Sequence, residues 1–424
     1  MIALLRRNRD YRLLIIATII SLGGDWFATV ALSGLVLDKT NNDFLAAMVF
    51  VAASLPAFFM TPLAGPVADR FDRKRIMVVC SALQTGVACL LLLSGRWWGM
   101  GIIAQAGIAA ISAFFGPASQ ATLPNLVEPS DLATVTAASG AIWGAMLIIG
   151  SSLGAIVSDR FGRQTAFAID AASFGVAGLL IVLIRGKTRA DTTARTSNRI
   201  RPITDTKEAL RYARSNEYVS AFLLSKFGFG LGTGVVGLLA VLAKRRFGSG
   251  DGGTGLLLAA RGTGVFVGPW LIRYASRRGL SAVILACGVG AITYGLGYLV
   301  VSKVTVIGLA AIVILCAHLG GGVQWSGAYF GLQTSAPDEF RGRIMAADFA
   351  LVTLSMSASL AAAGLASRRY GPGPVIAVLG VVQVLWGSFF LIRTRRLRAS
   401  DSYVEPDVVG GLDTRVGASH STRR

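Results

Sequence analysis

Five charged side chains interrupt long apolar stretches of this sequence, and they are the residues best placed to do chemistry. They are Asp25, Asp170, Lys226, Arg261 and Asp348. A charge near the centre of a membrane-spanning helix costs about 2.5–3.5 kcal/mol on insertion scales. A residue kept there at such a cost is expected to handle a proton, an ion or a charged part of a substrate.

Asp25 lies at the centre of a polar stripe in the first apolar stretch. Hydroxyl side chains surround it at helical spacing, namely Thr18, Ser21, Thr29 and Ser33. These positions share one helix face, so we expect them to line a wet cavity in which Asp25 exchanges protons or contacts substrate. The alternative is a structural carboxylate, capped by the hydroxyls or paired with Lys226.

Two of the five charged residues are basic, and both lie in the second half of the chain, each followed by several glycines. Lys226 could receive an anionic group of a substrate or neutralise Asp25, and the sequence does not separate these alternatives. Arg261 could handle substrate or extend outward to the membrane interface. Asp170 is expected to have a structural role.

A third candidate group lies in the tenth apolar stretch. His318, Trp325 and Tyr329 project to one face of a helix, where they would suit a lipophilic, cationic or aromatic substrate. Gln105 and Ser112, in the fourth stretch, are predicted to face them. Core packing is the competing interpretation for each of these residues.

The composition requires a membrane environment. The 424 residues are 53% hydrophobic and 15% charged, whereas soluble domains contain about a quarter charged residues. Twelve apolar stretches are long enough to span a bilayer as helices. We predict a six-helix bundle at 1–184, a linker at 185–217, a second six-helix bundle at 218–395 and a disordered tail at 396–424.

The basic residues are unevenly distributed between the two sides of this topology. With both termini on one side, that side holds 29 Lys or Arg and the opposite side holds 10. This pattern predicts cytoplasmic termini and a multi-pass protein of a bacterial inner membrane. The net charge of +19 therefore reflects topology and lipid contact, and we expect no nucleic-acid partner, metal or cofactor.

A charged hairpin between the second and third stretches is partly repeated 203 positions later. Gly65-Pro66-Val67-Ala68-Asp69-Arg70-Phe71 corresponds to Gly268-Pro269-Trp270-Leu271-Ile272-Arg273-Tyr274. A second pair, Ser158-Asp159-Arg160-Phe161-Gly162 and Ser367-Arg368-Arg369-Tyr370-Gly371, is offset by 209 positions. Such repetition is typical of secondary transporters, whose site lies between two related halves.

The hairpin also carries a family resemblance. Gly65, Asp69, Arg70, Arg73 and Lys74 match the signature between the second and third helices of the major facilitator superfamily, and the likeness covers about residues 1–395. Within that family the chain resembles macrolide-efflux and siderophore exporters. The resemblance implies a monomeric twelve-helix exporter of lipophilic small molecules, with protons as a candidate coupling ion.

We also expect a gate on the side of the termini. Asp69 would face the amino end of the eleventh helix with Arg341 or Arg343, while Arg70 or Arg73 would reach Asp348. Simple positive-inside anchoring is the alternative for the basic cluster. Lysophospholipid or metabolite transport remains an alternative function. An intramembrane hydrolase is a remote one, because Gly150-Ser151-Ser152-Leu153-Gly154 fits a nucleophile pattern.

Overall fold

The computed structural model describes residues 2–128, 131–186 and 211–400. Within these ranges every regular element is a helix. Twelve helical segments are long and apolar enough to cross a membrane, and we number them span 1 to span 12. The all-helical, twelve-span prediction is therefore confirmed.

The first half of the chain begins with a short helix, Ile2–Arg7, and contains six spans. They are span 1 (Arg9–Thr40), span 2 (Asp43–Ala52 and Leu55–Arg70), span 3 (Arg73–Cys89, extended by a 3₁₀ turn at Leu90–Gly95), span 4 (Trp98–Leu126), span 5 (Leu132–Phe161) and span 6 (Arg163–Val182).

The second half repeats this arrangement. It comprises span 7 (Glu217–Gly232, Gly234–Gly237 and Leu239–Arg245), span 8 (Asp251–Ser276), span 9 (Leu280–Val301), span 10 (Ile307–Ser335), span 11 (Asp338–Tyr370) and span 12 (Pro372–Arg393), followed by a short helix, Arg395–Ser400. The predicted disordered tail therefore begins too early, because its first residues extend this helix. Residues 187–210 of the linker and 401–424 of the tail lie outside the described residues.

Equivalent turns in the two halves have the same backbone geometry. Gly162 joins spans 5 and 6 with φ of 85°, and Gly371 joins spans 11 and 12 with φ of 80°. Residues with a side chain rarely adopt this left-handed region, so glycine is the residue suited to both turns. The sequence repeat at these two positions thus corresponds to a structural repeat.

The two halves meet mainly through two pairs of helices. Span 5 packs against span 8, and span 2 packs against span 11. Small residues allow close approach: a Cβ built on Gly255 would lie 2.2 Å from the Cβ of Ala155, and one on Gly364 would lie 2.7 Å from the Cβ of Ala47. We call the side on which span 1 begins and span 12 ends the terminal side, and the other the distal side.

The helix that contains Ser152 excludes the hydrolase interpretation. A nucleophile elbow requires a sharp turn from a strand into a helix. Ser152 instead lies inside the unbroken helix of span 5, and the nearby Gly154 packs on Phe27 of span 1. The small residues of this motif therefore serve helix packing.

Candidate functional site

A central cavity of about 630 Å³ lies between the two halves. Spans 1, 2, 4 and 5 form one wall, and spans 7, 8 and 11 form the other. Much of the lining is apolar and aromatic, including Trp26, Phe50, Trp143 and Phe349. The volume falls in the range of sites that bury drug-sized ligands.

The predicted polar stripe of span 1 contributes two residues to this cavity. Asp25 and Thr29 line it, whereas Thr18, Ser21 and Ser33 are not part of the lining. Positions four apart drift by about 40° around a helix, so Ser33 has turned into the protein, where it is fully buried. Its hydroxyl donates to the carbonyl of Val30, which satisfies it without water.

Arg261 lines the same cavity as Asp25, from the opposite half of the protein. It lies in the middle of span 8 and lines the cavity, so it does not extend to the membrane interface. Gln105 and Ser112 of span 4 also line the cavity, and Gln84 donates to the hydroxyl of Ser112 at 2.9 Å. The cavity therefore brings together five polar side chains that the sequence singled out: Asp25, Thr29, Gln105, Ser112 and Arg261.

His318 lies behind the cavity wall. It is 1% exposed, and its Nε2 lies 2.8 Å from the hydroxyl of Tyr298. Tyr294 packs edge-on against its ring at a centroid distance of 5.0 Å. Direct contact of His318 with a substrate in this cavity is therefore not supported.

Lys226 pairs with Asp348 rather than with Asp25. The Nζ of Lys226 lies 3.3 Å from an Oδ of Asp348, and both side chains are almost completely buried. The same Nζ lies 3.5 Å from the ring centroid of Trp325 and 5.7 Å from that of Tyr329. Span 7 thus presents its lysine to a carboxylate and two aromatic rings of spans 10 and 11, all within the second half.

Asp170 is a buried carboxyl group without a hydrogen-bond partner among the described residues. Its side chain is 0% exposed, and both oxygens are buried. It lies where span 6 packs against span 1, since a Cβ built on Gly24 would lie 2.9 Å from one of its oxygens. The predicted structural role therefore lacks the hydrogen bonds that such a role normally requires.

The predicted latch between Arg73 and Asp348 is not present. Arg73 donates to the carbonyl of Ala121 at 2.6 Å, and Lys74 donates to that of Ile184 at 2.6 Å. Both carbonyls lie at the terminal-side ends of helices, where basic side chains are favourably placed. Asp348 is occupied by Lys226, so neither partner is available to the other.

The remaining gate residues are only partly described. Asp72 caps the start of span 3 by accepting from the backbone N–H of Arg75 at 2.9 Å, which makes the hairpin tight. Arg341 donates to the carbonyl of Ala336, in its own half. The surroundings of Gly65 and the side chains of Asp69 and Arg70 lie outside what the structure describes. The latch of Asp69 with Arg341 or Arg343 therefore remains a prediction.

An ion-pair network joins the halves on the distal side, opposite the predicted gate. Arg163 of span 6 donates two hydrogen bonds to the carboxylate of Asp251 in span 8, a bidentate pair with N–O distances of 2.8 and 2.9 Å. Arg163 also lies 2.7 Å from Asp38 of span 1, which in turn pairs with Lys244 of span 7. Ser158 of span 5 donates to Asp251 as well.

Asp43 forms the second part of this distal network. It is 0% exposed and lies at the start of span 2. Arg245 of span 7 approaches it to 2.7 Å, and the hydroxyl of Ser367 in span 11 donates to it at 2.6 Å. Two carboxylates of the first half and one of the second are thereby neutralised across the interface.

The sequence analysis missed this network, although a signal was present. Asp38, Asp43 and Asp251 lie at span ends on the same side as Arg163, Lys244 and Arg245. Counting only basic residues for topology hides this balance of opposite charges at one level of the membrane. The pairing itself depends on how the halves dock, which the sequence does not specify.

Comparison with known proteins agrees with this architecture. The family model described as Major Facilitator Superfamily matches residues 14–360. A bacterial homolog of the human lysosomal transporter Spinster, solved in an inward-facing and unoccupied conformation, superposes with a TM-score of 0.71 at 14% identity, over 93% of this chain and 98% of that one. A point mutant of the peptide transporter POT gives a TM-score of 0.77 at 11% identity, over 92% and 95%.

Among curated relatives, the multidrug efflux pump Tap of Mycobacterium tuberculosis is 30% identical over 185 residues, which is 41% of this chain and 43% of that protein. The match thus spans less than half the length of Tap. The MFS-type transporter YfiS of Bacillus subtilis is 22% identical over 92% of this chain and 94% of its own length. The staphyloferrin A transporter of Staphylococcus aureus is 25% identical over 39% and 43%.

Proposed function

The chain belongs to the major facilitator superfamily, and from this premise we propose that it exports a lipophilic small molecule by alternating access, in exchange for protons. One observation carries the proposal: a cavity with a membrane-embedded carboxyl group lies between two halves that are joined on the distal side by ion pairs. Such contacts can break and re-form when one half rocks against the other.

The relatives support the direction and class of substrate. Tap is a multidrug efflux pump, and the staphyloferrin A protein transports a siderophore. The apolar and aromatic lining of the cavity suits a drug-like, antibiotic or siderophore-like compound. We place the protein in a bacterial inner membrane as a monomer, with cytoplasmic termini.

Asp25 is the residue we propose for proton coupling. It lines the cavity at mid-span, where a proton and a substrate can compete for the same carboxyl group. Asp25→Asn keeps the shape and removes the titratable group, so it should abolish substrate-driven proton movement. Asp25→Glu should retain it.

The test uses proteoliposomes loaded with a pH-sensitive dye. Fluorescent dyes, macrolides and siderophores are then offered one at a time as candidate substrates. For any compound that the wild-type protein transports, proton movement in Asp25→Asn should fall to that of empty liposomes. Glu217→Gln, which changes a carboxylate at the terminal-side start of span 7, is the control and should behave as wild type. Unchanged proton movement in Asp25→Asn would remove Asp25 from the mechanism.

A further inference from the structure

Arg261 is a cation in the central cavity for which the described residues supply no countercharge. No carboxylate among them lies within ion-pair distance of it. Its Nε is buried and has no hydrogen-bond partner in the described part of the chain. A desolvated guanidinium group left in this condition is costly, so a partner that completes it should bind favourably.

The groups that surround Arg261 on the protein side supply no negative charge. Span 8 packs against span 10 close to Arg261, since a Cβ built on Gly264 would lie 2.8 Å from the Cβ of His318. Tyr298 and His318 are already hydrogen-bonded to each other at 2.8 Å. The open side of the guanidinium group is the cavity itself, which Arg261 lines.

The opposite wall carries the complementary charge. Asp25 lines the same cavity from the first half and has no ion pair with a described residue, Arg261 included. Gln105, on the same wall, is 4% exposed, and its Oε1, which can accept a hydrogen bond, has no partner among the residues that the structure describes. The cavity therefore has an anionic, hydrogen-bond-accepting wall and a cationic wall, with apolar and aromatic side chains between them.

We propose that the substrate is amphoteric: an apolar body with an anionic group bound by Arg261 and a cationic group bound at Asp25 and Gln105. This inference rests on the proposed export function and adds a substrate class to it. A cationic group at Asp25 replaces the proton there, which is the competition that proton exchange requires. An anionic group at Arg261 completes the guanidinium pair with planar, charge-assisted hydrogen bonds.

The test is isothermal titration calorimetry of the full-length protein in lipid nanodiscs with three matched probes. They are 4′-(aminomethyl)biphenyl-4-carboxylic acid, its methyl ester, which keeps only the cation, and its N-acetyl derivative, which keeps only the anion. The same three compounds built on one phenyl ring cover a shorter charge separation. The amphoteric acid of at least one series should bind at least about tenfold tighter than either derivative.

Two variants assign the groups. Arg261→Gln should reduce the affinity of the acid to that of the methyl ester and leave the methyl ester unchanged, which also shows that the variant is folded. Asp25→Asn should remove the advantage of the acid over the N-acetyl derivative. Arg261→Lys should keep part of the affinity, and Arg273→Gln, an exposed arginine on the same helix, should have no effect.

Four results would overturn the proposal. Three concern binding: equal binding of acid and methyl ester to the wild-type protein, an unchanged preference in Arg261→Gln, or no binding of either acid up to its solubility limit. The fourth is export of uncharged dyes that does not depend on Arg261, which would contradict this inference but leave the export function intact. Arg261-dependent binding without any transport in proteoliposomes would support this inference but contradict the export function.

Discussion

At the scale of single residues, the charges inside the membrane fall into two groups. Lys226 and Asp348 satisfy each other, and Trp325 covers the ammonium group at 3.5 Å. Asp25 and Arg261 have no ion pair with a described residue and face the cavity. The first group holds helices of one half together, whereas the second is open to ligands. Charges buried in the membrane therefore have a structural role in one place and a binding role in the other.

Breaking the Lys226–Asp348 pair should be far more damaging than replacing it. Lys226→Met leaves the carboxylate of Asp348 buried without its partner and should cost about 3–5 kcal/mol of stability. The double change Lys226→Met with Asp348→Leu should recover most of this loss, because it removes both charges. Apparent melting temperatures in detergent micelles provide the measurement. A double variant no more stable than the single one would show that the pair contributes through packing instead.

Asp43 and Asp170 offer a matched comparison, because both are 0% exposed. Asp43 forms an ion pair with Arg245 and accepts a hydrogen bond from Ser367, whereas Asp170 has no hydrogen-bond partner among the described residues. Asp43→Asn should lower the melting temperature, since it weakens a buried ion pair. Asp170→Asn should leave it unchanged or raise it, since no bond is lost. A lower melting temperature for Asp170→Asn alone would contradict this account.

At the scale of helices, the important feature is where the spans end. Spans 1, 2, 6, 7 and 8 all place charged residues on the distal side, and these residues join the halves. Asp251 is buried and is bound by both Arg163 and Ser158. The distal contacts therefore depend on a few span-end side chains, and one substitution should weaken them substantially.

Arg163→Gln should shift the protein towards a conformation with the distal side open, because Arg163 contacts both Asp38 and Asp251. Spin labels at Arg96 and Lys303, exposed distal positions in opposite halves, would report the change by pulsed electron paramagnetic resonance. Cys89 and Cys316, which are also exposed, would first be replaced by serine. The longer-distance population should increase.

Arg160→Gln is the control for this experiment, since it removes a neighbouring exposed arginine at the end of span 5. Its distance distribution should match that of the parent protein. The same distribution in Arg163→Gln would mean that the helix contacts between spans 2 and 11 and spans 5 and 8 alone hold the distal side shut.

At the scale of the whole molecule, the chain is two repeated six-helix halves around one cavity. The sequence predicted the number of helices, and it revealed the repeat whose copies end at the turns of Gly162 and Gly371, because apolar length and backbone conformation are local properties. It also identified Asp25 and Arg261, which both line the cavity, because a charged residue in a long apolar stretch is costly and indicates a functional site. It did not foresee the pairing of Asp348 with Lys226 and overlooked Asp43, because side-chain pairing depends on how distant helices pack.

The orientation of the whole molecule can be tested directly. The excess of basic residues on the terminal side predicts that this side faces the cytoplasm. A protease-cleavable tag after Arg424 should be cut in inverted membrane vesicles and protected in intact spheroplasts. Cleavage in intact spheroplasts would show that the orientation is opposite to the predicted one, with the distal network facing the cytoplasm.

The distal network has a practical consequence for capturing the protein in one shape. Asp38, Arg163 and Lys244 meet there from both halves, and Asp38 and Lys244 remain partly accessible. That composite epitope exists only while the halves are apposed. A nanobody selected against it would act as a clamp, arresting the cycle and providing a rigid handle for electron cryomicroscopy.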